Sequence, residues 1–493
     1  MRRLTTLLTL SLTTLSLTAC DRGADESALA DQIAEEPATA TPSDDAAESV
    51  AAAPGKGEAA REDKAGGMAM DESEAAPPPP AASAAPEADA FGVGRSGGEG
   101  RARPAGPRKL RAKPASPAVT SPSMNVDVRA GEWDDNANYR EFQSFLSSSL
   151  RLPYHRLDLT QRRFVVVRDA DGKGVPSCAV RISGGHKSVE LTTAASGRAI
   201  LFPRAEGLNG WTMNATARCG QDSAERSFSL QAPDGVVDLR LSTKRSLPAQ
   251  KIVDVAFILD TTGSMSEEIA AVKATIQKVA TSLSNDQLTV RLGLVEYKDR
   301  TDEVTTKVYP MSRDLQGFGA SVASIRASGG GDIPEDAVQG LKAGVQQLAW
   351  DDRAVARVAF MIGDAPPHLD YQGGSNYEQL AREAAHRGIK VYTIAASGMD
   401  DLGQVVWRQI AQYTGATNMF VLRGGAGPQS TGGGDPKTSC GGTHQNYSSG
   451  NLDQLIANKV RREIRALSAD PMAIAGLGQD ERAKPCNERV ANL

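Results

Sequence analysis

One short stretch constrains the fold of this chain more than any other. An apolar run of strand length, 253–259, ends at Asp260, and the hydroxyl side chains Thr262 and Ser264 follow at two-residue steps before an amphipathic segment begins. Open α/β sheets bind their ligands at the carboxyl ends of strands. Carboxylate and hydroxyl oxygens are hard donors that suit Mg²⁺ or a similar divalent cation. The stretch therefore predicts an α/β sheet with a cation site at its edge.

The chain after Pro248 alternates between strand-like and helix-like segments. The predicted strands are Ile252 to Leu259, Val290 to Glu296, Val304 to Tyr309, Ala356 to Ile362, Ile389 to Ala395 and Asn418 to Leu422. Predicted helices are the segment from Ile269 to Leu283, one that starts at Pro334, those at about 377–387 and 404–414, and one from Leu452 to Leu467. This alternation predicts a doubly wound, mostly parallel sheet covered on both faces. Only the short link between the second and third strands requires an antiparallel edge.

Two further stretches accompany the first. Residues 329–336 read Gly-Gly-Gly-Asp-Ile-Pro-Glu-Asp, and residues 360–368 read Phe-Met-Ile-Gly-Asp-Ala-Pro-Pro-His. The three stretches, in this order, resemble the three metal loops of von Willebrand factor type A domains, which form the metal-ion-dependent adhesion site. The resemblance covers about residues 251–468, with a Gly-rich insertion at 424–450.

The resemblance implies roles for five side chains. Thr262 and Ser264 are expected to touch the metal directly, and Asp260 and Asp364 to bind it directly or through water. Many relatives have a threonine in the second loop where this chain has Asp332. A third nearby carboxylate would strengthen the attraction for a divalent ion. We therefore expect a tightly held Mg²⁺, Mn²⁺ or Ca²⁺.

The amino terminus carries an export signal. Arg2 and Arg3 precede an apolar run, 4–17, that is shorter than the about 20 residues a membrane-spanning helix needs. The run ends in Leu-Thr-Ala-Cys, which resembles a bacterial lipobox and predicts removal of residues 1–19 and lipidation of Cys20. The mature protein is thus predicted to be lipid-anchored to a membrane of the cell envelope, on its periplasmic or cell-surface face.

The sequence that follows the signal is not typical of a folded domain. Residues 20–123 are rich in Ala, Pro, Glu, Gly and Ser and contain almost no large apolar residue. Such a segment cannot bury enough apolar surface to offset the entropy of ordering, so we predict a disordered linker. Residues 124–160 are predicted to contain a turn and a short amphipathic helix that docks on a neighbouring domain.

Residues 161–246 change to a period of two, which predicts an all-β domain. The predicted strands are Phe164 to Val167, Ala179 to Ile182, Val189 to Thr192, Ala199 to Phe202, Met213 to Ala217, Ser227 to Leu230 and Val236 to Leu241. Seven short strands favour a β-sandwich. The turn and strand pattern resembles the carboxypeptidase-regulatory or transthyretin-like group, which implies a structural or stalk module.

Export would place the four cysteines after Cys20 in a compartment that permits disulfides. We predict the pairs Cys178–Cys219 and Cys440–Cys486, because each pair then stays within one predicted domain or its immediate tail. Isolated thiols are the alternative. The remaining residues, 469–493, are interpreted as a tail that delivers the last cysteine.

The functional hypothesis that follows is a non-enzymatic binding protein. A partner protein or envelope polymer would bind through the divalent metal, and the net charge of −5 gives no reason to expect nucleic acid. One alternative is a structural or assembly component in which the metal only stabilises the fold. A remote alternative is a hydrolase that acts through the metal. The strand-Asp-x-Thr sequence at Asp260 also resembles the start of haloacid-dehalogenase phosphotransferases, a resemblance that implies a phosphate-accepting nucleophile at Asp260. His368 is interpreted as a residue at the rim of the third loop rather than as a ligand.

Overall fold

A computed structural model of the chain describes residues 128–284, 288–371, 374–396, 398–421, 448–485 and 488–490. The strands, in chain order, are β1 (Arg129–Trp133), β2 (Arg162–Arg168), β3 (Ala179–Gly184), β4 (Lys187–Thr192), β5 (Arg198–Leu201), β6 (Thr212–Cys219), β7 (Asp222–Ser229), β8 (Asp234–Arg240), β9 (Ile252–Asp260), β10 (Thr289–Tyr297), β11 (Thr306–Ser312), β12 (Ala356–Gly363), β13 (Ile389–Ala395), β14 (Asn418–Val421) and β15 (Ser448–Asn451). The helices are α1 (Tyr139–Ser148), α2 (Ile269–Ser284), α3 (Leu315–Ser324), α4 (Ala337–Lys342), α5 (Tyr377–His386), α6 (Asp401–Tyr413) and α7 (Leu452–Arg465).

The largest sheet has eight strands in the order β11-β10-β9-β12-β13-β14-β1-β15. Five adjacent strands, β10, β9, β12, β13 and β14, are parallel to one another. Strand β11 is antiparallel to β10 at one edge of the sheet. Helices flank this mixed sheet, which agrees with the predicted doubly wound α/β class. The antiparallel edge was predicted from the short link before β11 and is confirmed.

The central strand β9 shows why both faces of this sheet are covered. All nine of its residues are buried. Phe257 and Leu259 join a hydrophobic cluster with residues of α2 and α7, whereas Ala256 and Ile258 join a second cluster with residues of α4, α5 and α6. Successive side chains of a strand point to opposite faces, so the apolar run of β9 requires helices on both sides.

The first strand corrects the prediction of a turn near residue 131. Residues Arg129–Trp133 form β1, which is inserted between β14 and β15 and is antiparallel to both. The helix that follows was predicted and forms as α1. The Asp135 carboxylate accepts two hydrogen bonds from the buried Arg408 guanidinium, at 2.6 and 2.9 Å. Glu132 forms a buried ion pair with Lys459 of α7. This segment is therefore an integral part of the α/β sheet rather than a docked appendage.

Residues 162–240 form two smaller sheets, which we call the all-β region. One sheet has the order β5-β2-β8 and the other the order β4-β3-β6-β7, and side chains from both share one hydrophobic cluster. Each of the seven predicted strands has a counterpart among β2 to β8. Cys178 and Cys219 form a disulfide with Cα atoms 4.8 Å apart, which confirms that predicted pair.

The residues after α7, which we call the C-terminal segment (466–490), correct the interpretation as a passive tail. Met472 and Ile474 pack on Phe164 and neighbouring residues of the all-β region. The Asp480 carboxylate accepts hydrogen bonds from two backbone N–H groups at the start of α1, at 2.9 and 2.8 Å. The segment thus connects the all-β region to α1. Its sequence lacks a periodic apolar pattern, which is why periodicity did not reveal it.

Other predictions are shifted or lie outside the described residues. The predicted helix at Pro334 begins instead at Ala337, with Asp336 as its N-cap. Helix α3 and strand β15 were not predicted. The signal peptide, Cys20, the linker, Cys440, Cys486 and most of the Gly-rich insertion lie outside the described residues. Within the described ranges, no helix is both long and apolar enough to cross a membrane.

Candidate metal centre

A chain of hydrogen bonds connects the first loop to the third. Thr262 donates to Asp260 Oδ1 from its backbone N–H at 2.9 Å and from its hydroxyl at 2.7 Å. The Thr262 and Ser264 hydroxyl oxygens are 3.0 Å apart, and Ser264 donates to Asp364 Oδ1 at 3.0 Å. Asp260 ends β9, and Asp364 directly follows the neighbouring parallel strand β12. Four of the five predicted site residues are therefore brought together at the carboxyl edge of the sheet.

The second oxygen of Asp260 occupies a tight, buried cradle. Asp260 Oδ2 and the buried Tyr297 hydroxyl on β10 interact with each other, but neither makes a hydrogen bond of good geometry among the described residues. A Cβ added at Gly363 would lie 2.4 Å from that hydroxyl and 3.1 Å from Asp260 Oδ2. Only glycine leaves this space open. A buried carboxylate oxygen without a hydrogen bond of good geometry is costly, and a bound cation would remove that cost.

Burial raises the pKa values of the two acids of the centre. Desolvation raises the pKa of Asp260 to about 7, although the hydrogen bonds from Thr262 oppose the rise. Desolvation also raises the pKa of Asp364, against the hydrogen bond from Ser264. Two acids that are hard to ionise without a counter-charge, positioned beside two hydroxyls, form a donor set that fits a divalent cation.

The second loop contributes an acid that the sequence analysis did not select. Glu335 is 2% exposed, and its Oε2 is buried with no hydrogen-bond partner among the described residues. Desolvation and the negative charge of Asp260 raise the pKa of Glu335 to about 8. Gly330, at φ +69°, lies against it, since an added Cβ would be 2.7 Å from Glu335 Oε1 and 3.1 Å from Thr262 Cβ. Glu335 therefore lies beside the first loop.

Asp332, the acid predicted for the second loop, does not join this group. Its side chain is exposed, and no contact recorded among the described residues connects it to Asp260 or Asp364. The physical reason is the path of the loop. Backbone pairing of Glu335 with the third loop, through Pro366 O at 3.1 Å and the N–H of His368 at 3.0 Å, turns Glu335 inward. The exposed Asp332 lies three residues earlier. No signal in the sequence alone separates these two acids.

His368 belongs to a separate cluster at the rim of the centre. Its ring stacks on Tyr371 with centroids 3.9 Å apart, and its Nδ1 is 2.8 Å from Asp370 Oδ1. Its Nε2 is 3.6 Å from Asp299 Oδ1, which accepts a hydrogen bond from the Tyr371 hydroxyl at 2.7 Å. The histidine therefore braces the third loop against the loop after β10. This position agrees with the interpretation of His368 as a rim residue.

The comparison with known families agrees with this geometry. Residues 254–421, which carry all three loops, match the family model of the von Willebrand factor A domain. This part of the chain is a von Willebrand factor A domain. The A domain, as we call it below, includes β9 to β14, and β1 and β15 extend its sheet at one edge.

Two relatives with curated descriptions match part of this chain. The chain is similar to the alpha-protein kinase vwkA of Dictyostelium discoideum, with 33% identity over 143 residues, which is 28% of this chain and 22% of the relative. It is also similar to a putative ariadne-like RING finger protein, R811, of Acanthamoeba polyphaga mimivirus, with 26% identity over 128 residues, which is 26% of this chain and 12% of that protein. The chain thus spans less than a quarter of each relative.

Several solved structures also show a similarity to part of this chain. Proximal thread matrix protein 1 from the mussel byssus is similar at 13% identity and a TM-score of 0.27, covering 34% of this chain and 41% of that one. A second structure of that protein is described with zinc in its metal-ion-dependent adhesion site. The pilus adhesin SpaC from Lactobacillus rhamnosus GG is similar at 12% identity and a TM-score of 0.25, covering 42% of this chain and 32% of that one.

The donor set of the metal centre combines two carboxylates with two hydroxyls. No group of three or more His, Cys, Asp or Glu side chains in the described part of the chain has the arrangement of a metal site. Two of the four residues at the centre carry hydroxyls, and Asp260 and Asp364 are the acids. Such a set suits an oxygen-preferring cation rather than a thiolate- or imidazole-bound one.

A pair of substitutions distinguishes the two acids of the second loop. Glu335→Gln is expected to change cation affinity, in either direction by about tenfold, because it removes a buried carboxylate beside Thr262. Asp332→Asn is expected to leave the affinity within about twofold, since exposed charges interact weakly across water. Titration calorimetry with Mg²⁺ or Mn²⁺ measures both. The assignment would be reversed if only Asp332→Asn changed the affinity.

The raised pKa values also predict a pH dependence. Asp260 and Glu335 have raised pKa values of about 7 and about 8 in the folded protein, against ordinary values of 3.8 and 4.5. Their contribution to the stability of the metal-free protein is therefore complete below about pH 4 and is lost as pH rises through 7 to 8. A cation competes with these protons and replaces the lost stabilisation.

We therefore expect the rise in melting temperature caused by saturating Mg²⁺ to be small at pH 5.5 and large at pH 8. Each pKa unit corresponds to about 1.4 kcal/mol. Thermal unfolding with Mg²⁺ and with chelator, across this range, measures the difference. Asp260→Asn is the control and should flatten most of the dependence. Equal Mg²⁺ effects at both pH values would contradict proton competition at these acids.

Proposed function

We propose that this chain binds a partner through a divalent cation held by the A domain. Asp260, Thr262, Ser264 and Asp364 would hold the cation, with Glu335 behind them. The observation that carries the proposal is the gradient of exposure across the centre. Asp260 and Thr262 are fully buried, whereas Ser264 is exposed. A cation held between them has protein oxygens on its inner side and solvent on its outer side.

An open outer side favours an acidic ligand. When bound, the cation supplies a positive charge that an incoming carboxylate can complete. The chain's own residues hold its inner oxygens in place, since Thr262 fixes Asp260 and Ser264 fixes Asp364 through the hydrogen bonds described above. Asp260 and Asp364 lie at the ion and Glu335 lies behind Thr262, so the outer side of the ion is the side that stays open to a partner's carboxylate.

The surroundings of the centre favour a protein partner. Ile333, in the second loop, is 65% exposed and follows the exposed Asp332. Protein interfaces combine such an apolar contact with a few oriented polar ones. We propose that a partner's Asp or Glu side chain approaches the cation while an apolar neighbour of that acid contacts Ile333. This role is non-enzymatic.

We also propose that the protein acts from a membrane surface outside the cytoplasm. The apolar run 4–17 and the Leu-Thr-Ala-Cys sequence ending at Cys20 support this location. The Pro-rich residues 20–123 would hold the folded part away from the membrane, and the all-β region would serve as a structural module. Detergent phase partitioning tests the anchor: the parent is expected in the detergent phase and Cys20→Ser in the aqueous phase.

Partner binding is tested by capture from an envelope extract. Immobilised protein in Mg²⁺ is expected to retain a partner that chelator releases and that Asp260→Asn does not retain. Ser264→Ala, at the exposed end of the donor set, should weaken retention without changing the melting temperature of the metal-free protein. Equal retention by the parent and Asp260→Asn would instead favour an assembly role in which the metal only stabilises the fold.

A further inference from the structure

A cavity of about 330 Å³ lies near the amino ends of the parallel strands of the A domain, whereas the metal centre lies at their carboxyl ends. The cavity is lined by Ile389 and Lys390, at the amino end of β13, whereas the metal centre lies at the carboxyl ends of β9 and β12. Seven residues of strand correspond to about 20 Å, so the cavity and the centre are separate. Its volume is at the lower end of the range for small-molecule sites, about 300–1,000 Å³.

Three parts of the protein form the walls of this cavity. Phe164 and Ile200 come from the all-β region, Tyr392 from the A domain, and Ile474 from the C-terminal segment. Most of the remaining wall is alanine and other small side chains, so the interior is predominantly apolar. A ligand bound here would contact all three parts at once. A cavity with this lining takes a molecule with an apolar body.

The cations of the lining differ in the groups that pair with them. Lys390 is paired with Glu463 at 2.6 Å. Arg198 donates only to backbone carbonyl oxygens, those of Pro471 at 2.8 Å and of two nearby residues at 3.0 and 3.1 Å. Among the described residues, Arg462 has one carboxylate within ion-pair distance, an oxygen of Asp134 at 4.0 Å.

The lining contains as many acids as cations. Three cations face the cavity against two largely buried acids, Asp134 and Glu463. The third acid of the lining, Asp470, is exposed, and its carboxylate accepts a hydrogen bond from the Met472 N–H. Water screens an exposed carboxylate. Arg198 and Arg462 are therefore two guanidinium groups of the lining that have no carboxylate closer than 4.0 Å among the described residues.

We infer that this cavity binds a small monocarboxylate with an apolar body, whose carboxylate pairs with Arg462. The Arg462 side chain is 28% exposed, and its one ion pair among the described residues is long. Most of its N–H donors are therefore available. Guanidinium and carboxylate form paired, charge-assisted hydrogen bonds. A monoanion needs only one guanidinium, whereas the acids of the lining would repel a more highly charged group such as phosphate. This site is independent of the proposed metal-dependent binding.

The test uses the full chain with octanoate as the probe and 1-octanol as its neutral analogue. Octanoate is expected to bind in titration calorimetry and 1-octanol to bind at least tenfold more weakly. Arg462→Met should reduce octanoate affinity at least tenfold. Arg465→Met, which removes an exposed cation from the same helix turn, should leave it within twofold.

Two further results guard against a folding artefact. Ala466→Leu, which places a larger apolar side chain in the cavity wall, should reduce binding of octanoate while Mg²⁺ binding at the metal centre persists. Arg462→Lys should show intermediate octanoate affinity. The inference is overturned if octanoate does not bind at millimolar concentration, if the alcohol binds equally well, or if folded Arg462→Met retains the parent's affinity.

Discussion

Asp260→Asn is expected to abolish the stabilisation of this protein by Mg²⁺. In the parent, a cation at a hundred times its dissociation constant should raise the free energy of unfolding by about 2.7 kcal/mol. The substitution keeps the shape of the side chain and its hydrogen bonds with Thr262 but replaces the buried anion that attracts the ion. We expect cation affinity to fall at least about 100-fold, and the Mg²⁺-dependent rise in melting temperature to disappear.

The metal-free proteins provide the control for this experiment. At pH 8 the parent carries an ionised, buried Asp260, since the pKa of that acid is about 7. Asparagine carries no charge there, so metal-free Asp260→Asn should unfold at a temperature no lower than that of the metal-free parent. A lower temperature would indicate that the substitution damages the fold. A parent that shows no shift with Mg²⁺, Mn²⁺ or Ca²⁺ would leave the loops with a structural role alone.

Breaking the Asp135–Arg408 pair is expected to have the largest effect on stability. Both side chains are buried, and they share two hydrogen bonds. The Arg408 guanidinium also lies 3.8 Å from the centre of the Phe145 ring. Removing one partner of a buried pair costs about 3–5 kcal/mol, because the other charge is left without compensation. Asp135→Ala should therefore reduce the free energy of unfolding by that amount in urea denaturation.

A double substitution distinguishes the pair from the packing around it. Arg408→Met keeps an apolar stem against Phe145, and Asp135→Asn keeps the size of its partner. If the cost comes from the unpaired charge, the protein with both changes should be more stable than either single variant. Simple additivity of the two losses would mean that the residues act independently. The result also tests whether the segment from β1 to α1 belongs to the A domain fold.

The central part of the fold could be predicted because its signals are local. The apolar runs of β9, β12 and β13 are long enough for buried parallel strands, and each ends within a few residues of its observed boundary. The first and third metal loops follow two of these strands directly. Since parallel strands align their carboxyl ends, the meeting of Asp260 with Asp364 follows from the topology.

The parts that could not be predicted depend on distant contacts. Strand β1 has five residues, one of which is Gly131, and its partners in β14 and β15 lie about 290 and about 320 positions later in the chain. No local pattern specifies such a pairing. The second loop contains Asp332 and Glu335 three residues apart, and only its backbone contact with Pro366 decides which acid turns inward. Family resemblance identified the loop and named Asp332, whose role as a ligand stays a prediction, whereas Glu335 is the acid that packs beside Thr262.

The position of β1 determines where a pull on the preceding residues would reach the A domain. Gly131 is paired with Phe420, and Phe420 with Ala395, which places β1 in the row of residues that reaches Gly363 beside Asp260. Because β1 is antiparallel to β14, the chain enters it at the sheet edge that carries the metal centre. Four strand spacings, about 19 Å, separate the two points. A pull between the residues before Val128 and a partner at the metal centre would therefore act across the strands and peel β1 from its amino end, one hydrogen bond at a time.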